Sequence, residues 1–290
     1  MIPPMVSFVT WNRAGLNARN LTALLKTTDD FELYIIDNGS KDDTWEFIQS
    51  LEDDRIKLRE RFEVNRGLVY AMNYILRKRK KEQFYITLDS DVSVLTEDFV
   101  RKYMNVMDAF PEVGLLGAVR DTFFEEKNIK SQLIAQNDEG FYPFHIIVGC
   151  CICIRPEVFE YLGYWNEETC GADIDICARI NKMTPYKTGF IPTIFIDQTQ
   201  RISCDDCLLK EKCTLIKMDE NCFDQYDRLY KHREFAKIIQ VKEAAYLQEL
   251  NAKRRTAFCA SIHDPDSTID YVYNHESAKE NFEFFIKNAN

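Results

Sequence analysis

The chain has 290 residues, of which 46% are hydrophobic and 13% aromatic, enough apolar material for one large domain with or without an appendage. Its formal net charge of −10 at pH 7 argues against a surface devoted mainly to nucleic acid. No apolar run approaches the roughly 20 residues that span a bilayer, and the first ten residues lack the basic start of a signal peptide. We therefore expect a cytoplasmic protein without a transmembrane segment, at most peripheral to a membrane.

Short apolar runs, rich in β-branched and aromatic side chains, alternate with helical patterns over the first ninety residues. The runs are MVSFVTW, FELYIID, residues 56–59 and FYITL, and a helical pattern follows each of the first three. This β-α-β-α-β-α-β order predicts an α/β fold with a doubly wound, mostly parallel sheet. In such a sheet, ligands bind in the crevice beyond the carboxyl ends of the strands.

The fourth of these strands ends on two acidic residues. Asp89 and Asp91 are separated by one small residue in YITLDSDVSVL, so both carboxylates can turn toward the same edge of the sheet. Oxygen ligands at this spacing suit Mg²⁺ or Mn²⁺, which also take substrate phosphates and water. The alternative interpretation is a turn with solvated aspartates, because Asp and Ser are common in turns.

Four segments resemble motifs of a known family. VTWNR, IIDNGSKDDT, NRGLVYAMN and LDSDV occur in the order, and near the spacing, of the nucleotide-binding half of family-2 glycosyltransferases with the GT-A fold. The resemblance implies a metal-dependent enzyme that moves a sugar from a nucleotide-diphosphate sugar to an acceptor glycan, lipid-linked sugar or protein. A UDP-sugar is the first expectation for the donor.

The resemblance also assigns residues to the donor site. It implies that Asp37 reads the nucleobase, that Thr10 and the nearby backbone line the base pocket, and that residues 65–67 lie by the ribose and diphosphate. Asp89 and Asp91 then form the DxD signature, whose Mn²⁺ or Mg²⁺ bridges the diphosphate. The donor residues assigned in this way are Thr10, Asn12, Arg13, Asp37, Asn65, Arg66, Gly67, Asp89, Ser90 and Asp91.

A second acidic segment, GYWNEETCGADIDICARI, resembles the segment that opens a helix beneath the acceptor site in this family. Asp173 matches its central acid, the catalytic base, although Ala172 stands where Glu is frequent, which leaves Glu168 or Glu167 as alternatives. The helix dipole keeps a carboxylate in the first turn ionised, as a base must be to take a proton from a hydroxyl. The plainer interpretation is an acid that only stabilises the helix.

A single base near the acceptor predicts one in-line displacement with inversion at the anomeric carbon, by analogy with hydrolases. Two other functions stay open at this point. A sugar-phosphate nucleotidyltransferase would use a similar sheet and metal but a Gly-rich basic loop, whereas the loop at residues 11–15 has one Gly and one Arg. A non-catalytic module would bind sugar nucleotides without turnover.

The composition shifts after TGFIPTIFIDQTQ, so we expect a catalytic domain at residues 1–200 and a Cys-rich helical appendage at 201–290. A C-x-x-C pair and two further thiolates can form a closed tetrahedral zinc site, which would stabilise a polar segment with little core. An iron–sulfur cluster uses the same ligands, and disulfides or free thiols are the remaining options. The predicted ligands of structural zinc or iron–sulfur are Cys204, Cys207, Cys213 and Cys222.

Other stretches predict local structure only. HIIVGCCICI is expected to be a strand with buried thiols, and TGFIPTIFIDQTQ a strand pair. Ser40 and Thr96 are expected to cap the helices that follow them. The remaining predicted elements are an amphipathic helix at 97–110, a polar loop at 122–141, a helix with an apolar packing face at 223–255 and a last helix at 276–290.

Overall fold

Ten strands form one sheet in the computed structural model, which describes residues 2–119, 131–147, 150–198, 204–207, 209–222, 224 and 233–288. The strands are β1 (Met5–Thr10), β2 (Glu32–Asp37), β3 (Ile56–Arg61), β4 (Tyr85–Asp89), β5 (Val92–Val94), β6 (Val113–Val119), β7 (Ile134–Gln136), β8 (Glu139–Pro143), β9 (Cys151–Ile154) and β10 (Lys187–Gln198).

The order across the sheet is β3-β2-β1-β4-β9-β6-β10-β8-β7, and β5 pairs with β10. Strand β1 is parallel to β2 and β4, and β2 is parallel to β3, so the half that carries the family motifs is wholly parallel. In the other half, β9 runs antiparallel between β4 and β6, while β10 is parallel to β6. The α/β class is confirmed, with a parallel half beside a mixed one.

Helices lie against both faces of this sheet. They are α1 (Ala14–Leu25), α2 (Thr44–Ser50), α3 (Leu68–Leu76), α4 (Phe99–Ala109), α5 (Val158–Leu162), α6 (Asp173–Met183), α7 (Thr214–Lys217), α8 (Arg233–Asn251), α9 (Ser267–Asp270) and α10 (His275–Asn288), with a 3₁₀ turn at Cys204–Asp206.

Alternate residues of β1 point to opposite faces, as the period of a strand requires. Val6 and Phe8 belong to the apolar cluster that contains Leu21 of α1 and residues of α4. Met5 belongs to the cluster that contains Ile75 of α3 and residues of α6. All five side chains are fully buried, so both faces of the sheet form core and the sheet is doubly wound as predicted.

Two strand predictions need correction. Within the described residues of the run HIIVGCCICI, the strand covers Cys151–Ile154, and the three thiols are buried and free, as expected. TGFIPTIFIDQTQ was predicted to be a strand pair, but its described part is one strand, β10. Its pairing register shifts between Phe190 and Phe195, on either side of Pro192, which has no N–H for a ladder. The strand therefore continues past Pro192 and pairs there with β5.

The predicted loop at 122–141 is also partly wrong. Its described end begins a hairpin of β7 and β8, while residues 122–130 lie outside the described part. Neither predicted cap forms, because both hydroxyls are used elsewhere. Thr96 accepts from the Phe195 N–H, and Ser40 accepts from the Asn12 N–H. Helices α4 and α2 instead begin after Asp98 and Asp43, without a side-chain cap.

The helical prediction at 223–255 holds for Arg233–Asn251, and residues 223 and 225–232 lie outside the described part. Tyr246 and Leu250 of the expected packing face are buried, whereas Val241 is 70% exposed. Among the described helices, none is both long and apolar enough to cross a bilayer.

A buried ion pair fixes α6 to its surroundings. Asp175 and Arg179 lie one turn apart, their side chains are fully buried, and Arg179 Nη2 is 2.7 Å from Asp175 Oδ2. The same guanidinium donates to the carbonyl oxygens of Leu162, Tyr164 and Ala257. Arg179 thus joins the start of α6 to the chain on both sides of it. Asp175, although part of the acidic segment, neutralises this cation.

We expect Asp175→Ala to lower the free energy of unfolding by about 3–5 kcal/mol, because it leaves a buried guanidinium without its counter-charge. Urea denaturation followed by circular dichroism measures the change. The control is Asp54→Ala, an exposed carboxylate whose loss should change stability by less than about 0.5 kcal/mol. A loss at Asp175 as small as that of the control would contradict the structural role of the pair.

Candidate active site

The carboxyl ends of three parallel strands meet at one edge of the sheet. In the register of the sheet, Thr10 of β1 lies opposite Asp37 of β2, and Val9 of β1 lies opposite Asp89 of β4. A cavity opens at this edge. It is lined by Val9, Thr10, Trp11, Arg13, Asn38, Leu68, Asp89, Ser90 and Asp91.

The DSD turn at this edge is held by side chains of the first loop and helix. Asn20 of α1 donates to the Ser90 carbonyl at 2.8 Å, and Arg13 Nη1 donates to Ser90 Oγ at 3.0 Å. The same Arg13 nitrogen lies 3.7 Å from Asp91 Oδ2. Asp91 is 4% exposed, and its Oδ1 has no hydrogen-bond partner among the described residues. A buried carboxylate oxygen of this kind requires a cation or donor that the described side chains do not supply.

The electrostatics of the turn also favour a cation. Burial, followed by the negative charges of Asp91 and Asp173, raises the pKa of Asp89 well above its usual value, while Arg13 lowers it. A divalent ion would relieve this repulsion and would leave both turn carboxylates ionised. No three described Asp, Glu, His or Cys side chains are grouped so as to hold a metal ion. The carboxylates therefore fit a site that phosphate oxygens and water complete.

The loops after β1 and β2 brace each other. The Asn12 N–H donates to Ser40 Oγ at 2.8 Å, and the Lys41 N–H donates to Asn12 Oδ1 at 2.7 Å. Asn12 adopts a φ of 49°, in the left-handed region that Asn tolerates better than most residues. Asn12 therefore shapes the loop between Trp11 and Arg13, and it does not line the cavity itself.

Asp37 lies opposite Thr10, which lines the cavity, and is fully buried. Its Oδ1 accepts the Ser40 N–H at 2.9 Å, and Arg61 Nε lies 3.4 Å from its Oδ2. Burial raises the pKa of Asp37 to about 6, although Ser40 and Arg61 act in the opposite direction. The neighbouring Asn38, which the sequence analysis did not assign to the site, is the residue that reaches the cavity.

Asn38 also holds the turn at residues 65–67. Its Nδ2 donates to Asn65 Oδ1 at 2.9 Å and to the Gly67 carbonyl at 3.1 Å, and its Oδ1 accepts the Arg66 N–H. Gly67 has a φ of 90°, and a Cβ there would lie 2.5 Å from the Phe285 ring, so the position requires glycine. These three predicted donor residues lie next to the cavity but are not part of its lining.

The acidic segment approaches the same edge from α6. Asp173 is the first residue of α6 and half-buried, and its charge acts on Asp89, although it does not line the cavity. Both alternative bases are engaged elsewhere. Glu167 accepts hydrogen bonds from Asn73, Ser261 and Tyr273 side chains and the Ile262 N–H. Glu168 makes a two-point ion pair with Arg255 at 2.6 Å.

The four cysteines of the predicted metal site lie near the start of α1. The Gly15 N–H donates to Cys222, and the Cys207 sulfur packs where a Cβ on Gly15 would be. Burial and the nearby Cys207 and Cys213 raise the pKa of Cys204. All ten cysteines are free thiols. Since no described group of three ligands could hold a metal, the zinc and iron–sulfur interpretations gain no support and stay predictions.

Comparison with known proteins decides the family. The model of glycosyl transferase family 2 matches residues 6–163, more than half of the chain. The chain belongs to glycosyl transferase family 2. The match includes the DSD turn and every predicted donor residue, whereas Asp173, the four cysteines of the predicted metal site and helices α6 to α10 lie beyond it.

Solved structures show the same fold at low identity. The mannosyltransferase PcManGT from Pyrobaculum calidifontis, in complex with GDP-Man and Mn²⁺, is 17% identical over 100% of this chain and 86% of its own, with a TM-score of 0.55. S. aureus TarS is 16% identical over 67% of this chain and 36% of its own, with a TM-score of 0.50. The chain covers 57% of the shorter TarS structure solved with UDP-GlcNAc. The likenesses to PcManGT and to full-length TarS support the GT-A fold of this family-2 member.

Four lining residues were not assigned to the site by the sequence analysis, namely Val9, Trp11, Asn38 and Leu68. Each lies inside one of the segments that resemble the family, VTWNR, IIDNGSKDDT or NRGLVYAMN. Trp11 is 6% exposed. Such burial is unexpected in a loop, because Trp11 lies after the end of β1 and has no neighbours on adjacent strands. The sequence feature that could have identified Trp11 is its position between a buried strand and the pair Asn12-Arg13.

The buried state of Asp37 predicts a pH dependence. Because its pKa is about 6 in the folded protein and near 3.8 in the unfolded chain, the stabilisation from its proton is present below pH 4 and is lost as the pH rises through 6. We expect wild type to lose about 1–3 kcal/mol relative to Asp37→Asn between pH 4 and pH 7.5. Urea unfolding of both proteins across this range measures it, and a pH-independent difference would contradict the raised pKa.

Proposed function

We propose that this family-2 member transfers a sugar from a nucleotide-diphosphate sugar to an acceptor hydroxyl by a single in-line displacement with inversion. The observation that carries the proposal is the pair Asp89 and Asp91 at the cavity, with a buried carboxylate oxygen that lacks a partner among the described residues. Family membership supports the reaction class, and the fold alone would not.

The donor lies along the carboxyl ends of β1, β2 and β4. Trp11 and Leu68 offer apolar surface, Thr10 and Asn38 offer polar groups, and Asp37, which lies opposite Thr10, reads the nucleobase. UDP-GlcNAc is bound by TarS and GDP-Man by PcManGT, and a UDP-sugar is our first choice here.

Asp89 and Asp91 would hold Mn²⁺ or Mg²⁺, since hard carboxylate oxygens suit these ions. The cation, when bound, offsets the charge that develops on the departing nucleoside diphosphate. Arg13 adds a fixed positive charge beside the same turn, 3.7 Å from Asp91, where it can also face a diphosphate. Mn²⁺ in the PcManGT complex accords with this assignment.

Asp173 takes the proton from the acceptor hydroxyl. It lies in the first turn of α6, where the helix dipole favours an ionised carboxylate, and its negative charge raises the pKa of Asp89. A single base on one side of the sugar fits inversion. The acceptor is a glycan, a lipid-linked sugar or a protein. The cytoplasmic location expected from the sequence belongs to the same proposal.

Asp91→Ala should abolish metal-dependent donor binding and turnover while leaving the fold intact, because Asp91 belongs to no apolar cluster and Arg13 keeps its hydrogen bond to Ser90 Oγ. Calorimetry with UDP-sugars and GDP-sugars, with and without Mn²⁺, measures binding, and Asp54→Ala is the matched control. Metal-dependent binding that survives Asp91→Ala would remove this residue from the site.

Asp173→Asn should leave donor affinity nearly constant and lower turnover by roughly two to four orders of magnitude, the usual range for loss of a general base. Steady-state kinetics and donor calorimetry separate the two effects. The exposed Asp270→Asn serves as the control. Weakened donor binding with normal turnover would place Asp173 in the donor site instead.

A further inference from the structure

The last helix, α10, contacts the edge of the sheet and the acidic segment at once. Its inward face carries Ala278, Asn281, Phe282 and Phe285, all of them buried. An asparagine that is 3% exposed on an otherwise apolar helix face must satisfy its amide within the protein. The hydrogen-bond partners of Asn281 therefore indicate which segment this face of α10 holds in place.

Asn281 binds the backbone of the segment that leads to Asp173. Its Nδ2 donates to the carbonyl oxygens of Glu167 at 2.8 Å and Glu168 at 2.9 Å, and its Oδ1 accepts from Lys242 at 2.8 Å. Ser277, one turn earlier, donates to the Glu168 carbonyl at 2.8 Å. Two residues of α10 thus fix carbonyl groups five and six residues before Asp173.

The Glu167 and Glu168 side chains tie the same segment to other C-terminal elements. Tyr273, which lies just before α10, donates to Glu167, and Arg255 pairs with Glu168. Between these acids and α6 the chain turns sharply, with Cys170 at a φ of 52°. The path of the chain into Asp173 therefore depends on contacts that the helix α10 and its neighbours supply.

One turn beyond Asn281, the same face of α10 reaches the donor side. Phe285 packs against Trp11, which lines the cavity. Its ring also covers Gly67, at 2.5 Å from where a Cβ would stand. Residues four apart share a helix face, so Asn281 and Phe285 act from one rigid element.

We propose that α10 is a positioning element that sets the acidic segment and the Trp11 wall of the donor cavity relative to each other through Asn281 and Phe285. Neither residue touches the reacting atoms. The role of α10 in catalysis depends on the proposed glycosyl transfer. A small displacement of a positioned group can cost about a hundredfold in rate, so the spacing matters.

Variants of Asn281 and Phe285 test the two contacts of α10 separately. Asn281→Ala should lower kcat by about tenfold or more with the donor KM changed less than about threefold, because the segment before Asp173 is released. Phe285→Ala should raise the donor KM by about tenfold with a smaller effect on kcat. Phe285→Leu should return the donor KM most of the way to the wild-type value. Asn288→Ala, at the exposed end of α10, and Phe110→Ala, a buried ring at the opposite edge of the sheet, are the controls.

Hydrogen exchange provides a readout independent of turnover. Asn281→Ala should speed amide exchange in residues 166–172 by about tenfold, while Asn288→Ala, which removes the same atoms from the exposed end of α10, should not. If Phe285→Ala does not fold, Phe285→Leu and the exchange data carry the test. Effects equal to those of the two controls, or unchanged exchange in residues 166–172, would overturn the proposal. A wild type that binds and turns over no nucleotide sugar defeats the proposed function, and exchange alone then decides whether α10 orders the segment.

Discussion

The register between β1 and its two parallel neighbours is the constraint on which the site depends. It sets Thr10 opposite Asp37 and Val9 opposite Asp89, so that the ends of three strands deliver their polar residues to one edge. A slip of one residue would exchange the faces of β1, and Val6 and Phe8 would leave the apolar cluster that they share with Leu21. Both faces of the strand are buried, so the register that forms the core also assembles the site.

That arrangement concentrates negative charge, and much of the surrounding structure offsets it. Arg13 faces Asp91 and Ser90, Arg61 faces Asp37, and the Ser40 N–H donates to Asp37. The compensation is incomplete at the DSD turn, where Asp91 Oδ1 has no hydrogen-bond partner in the described part of the chain and Asp89 is held toward its neutral form. Under the proposed function, a divalent cation would offset this excess negative charge.

Local patterns in the sequence predict the parallel half of the sheet well. Strands β1, β2 and β4 are short apolar runs that end at turn residues, and the consecutive strands β1 and β2, and β2 and β3, also pair in the sheet. The DSD turn was predictable for the same reason, since two acids at a strand end need no distant information. The mixed half was less predictable, because β9 is inserted antiparallel between β4 and β6, and no local pattern specifies that order.

Contacts between distant parts of the chain account for the other differences. Thr96 and Ser40 have good capping side chains, but Phe195 and Asn12 bind them, and both partners come from other elements. The burial of Trp11 depends on Phe285, some 270 positions away in the sequence, and the roles of Glu167 and Asp175 depend on buried donors. Sequence patterns identify which residues carry charge, whereas the choice between a structural and a chemical role needs their neighbours.

The most direct test of this account is to incubate the purified protein with Mn²⁺, a panel of UDP-sugars and GDP-sugars and candidate acceptors, and to identify the nucleotide that is released. The account predicts metal-dependent release of a nucleoside diphosphate, with the sugar joined to the acceptor in the inverted configuration by NMR. Release of pyrophosphate from a nucleoside triphosphate, or binding of sugar nucleotides without any turnover across the panel, would contradict it.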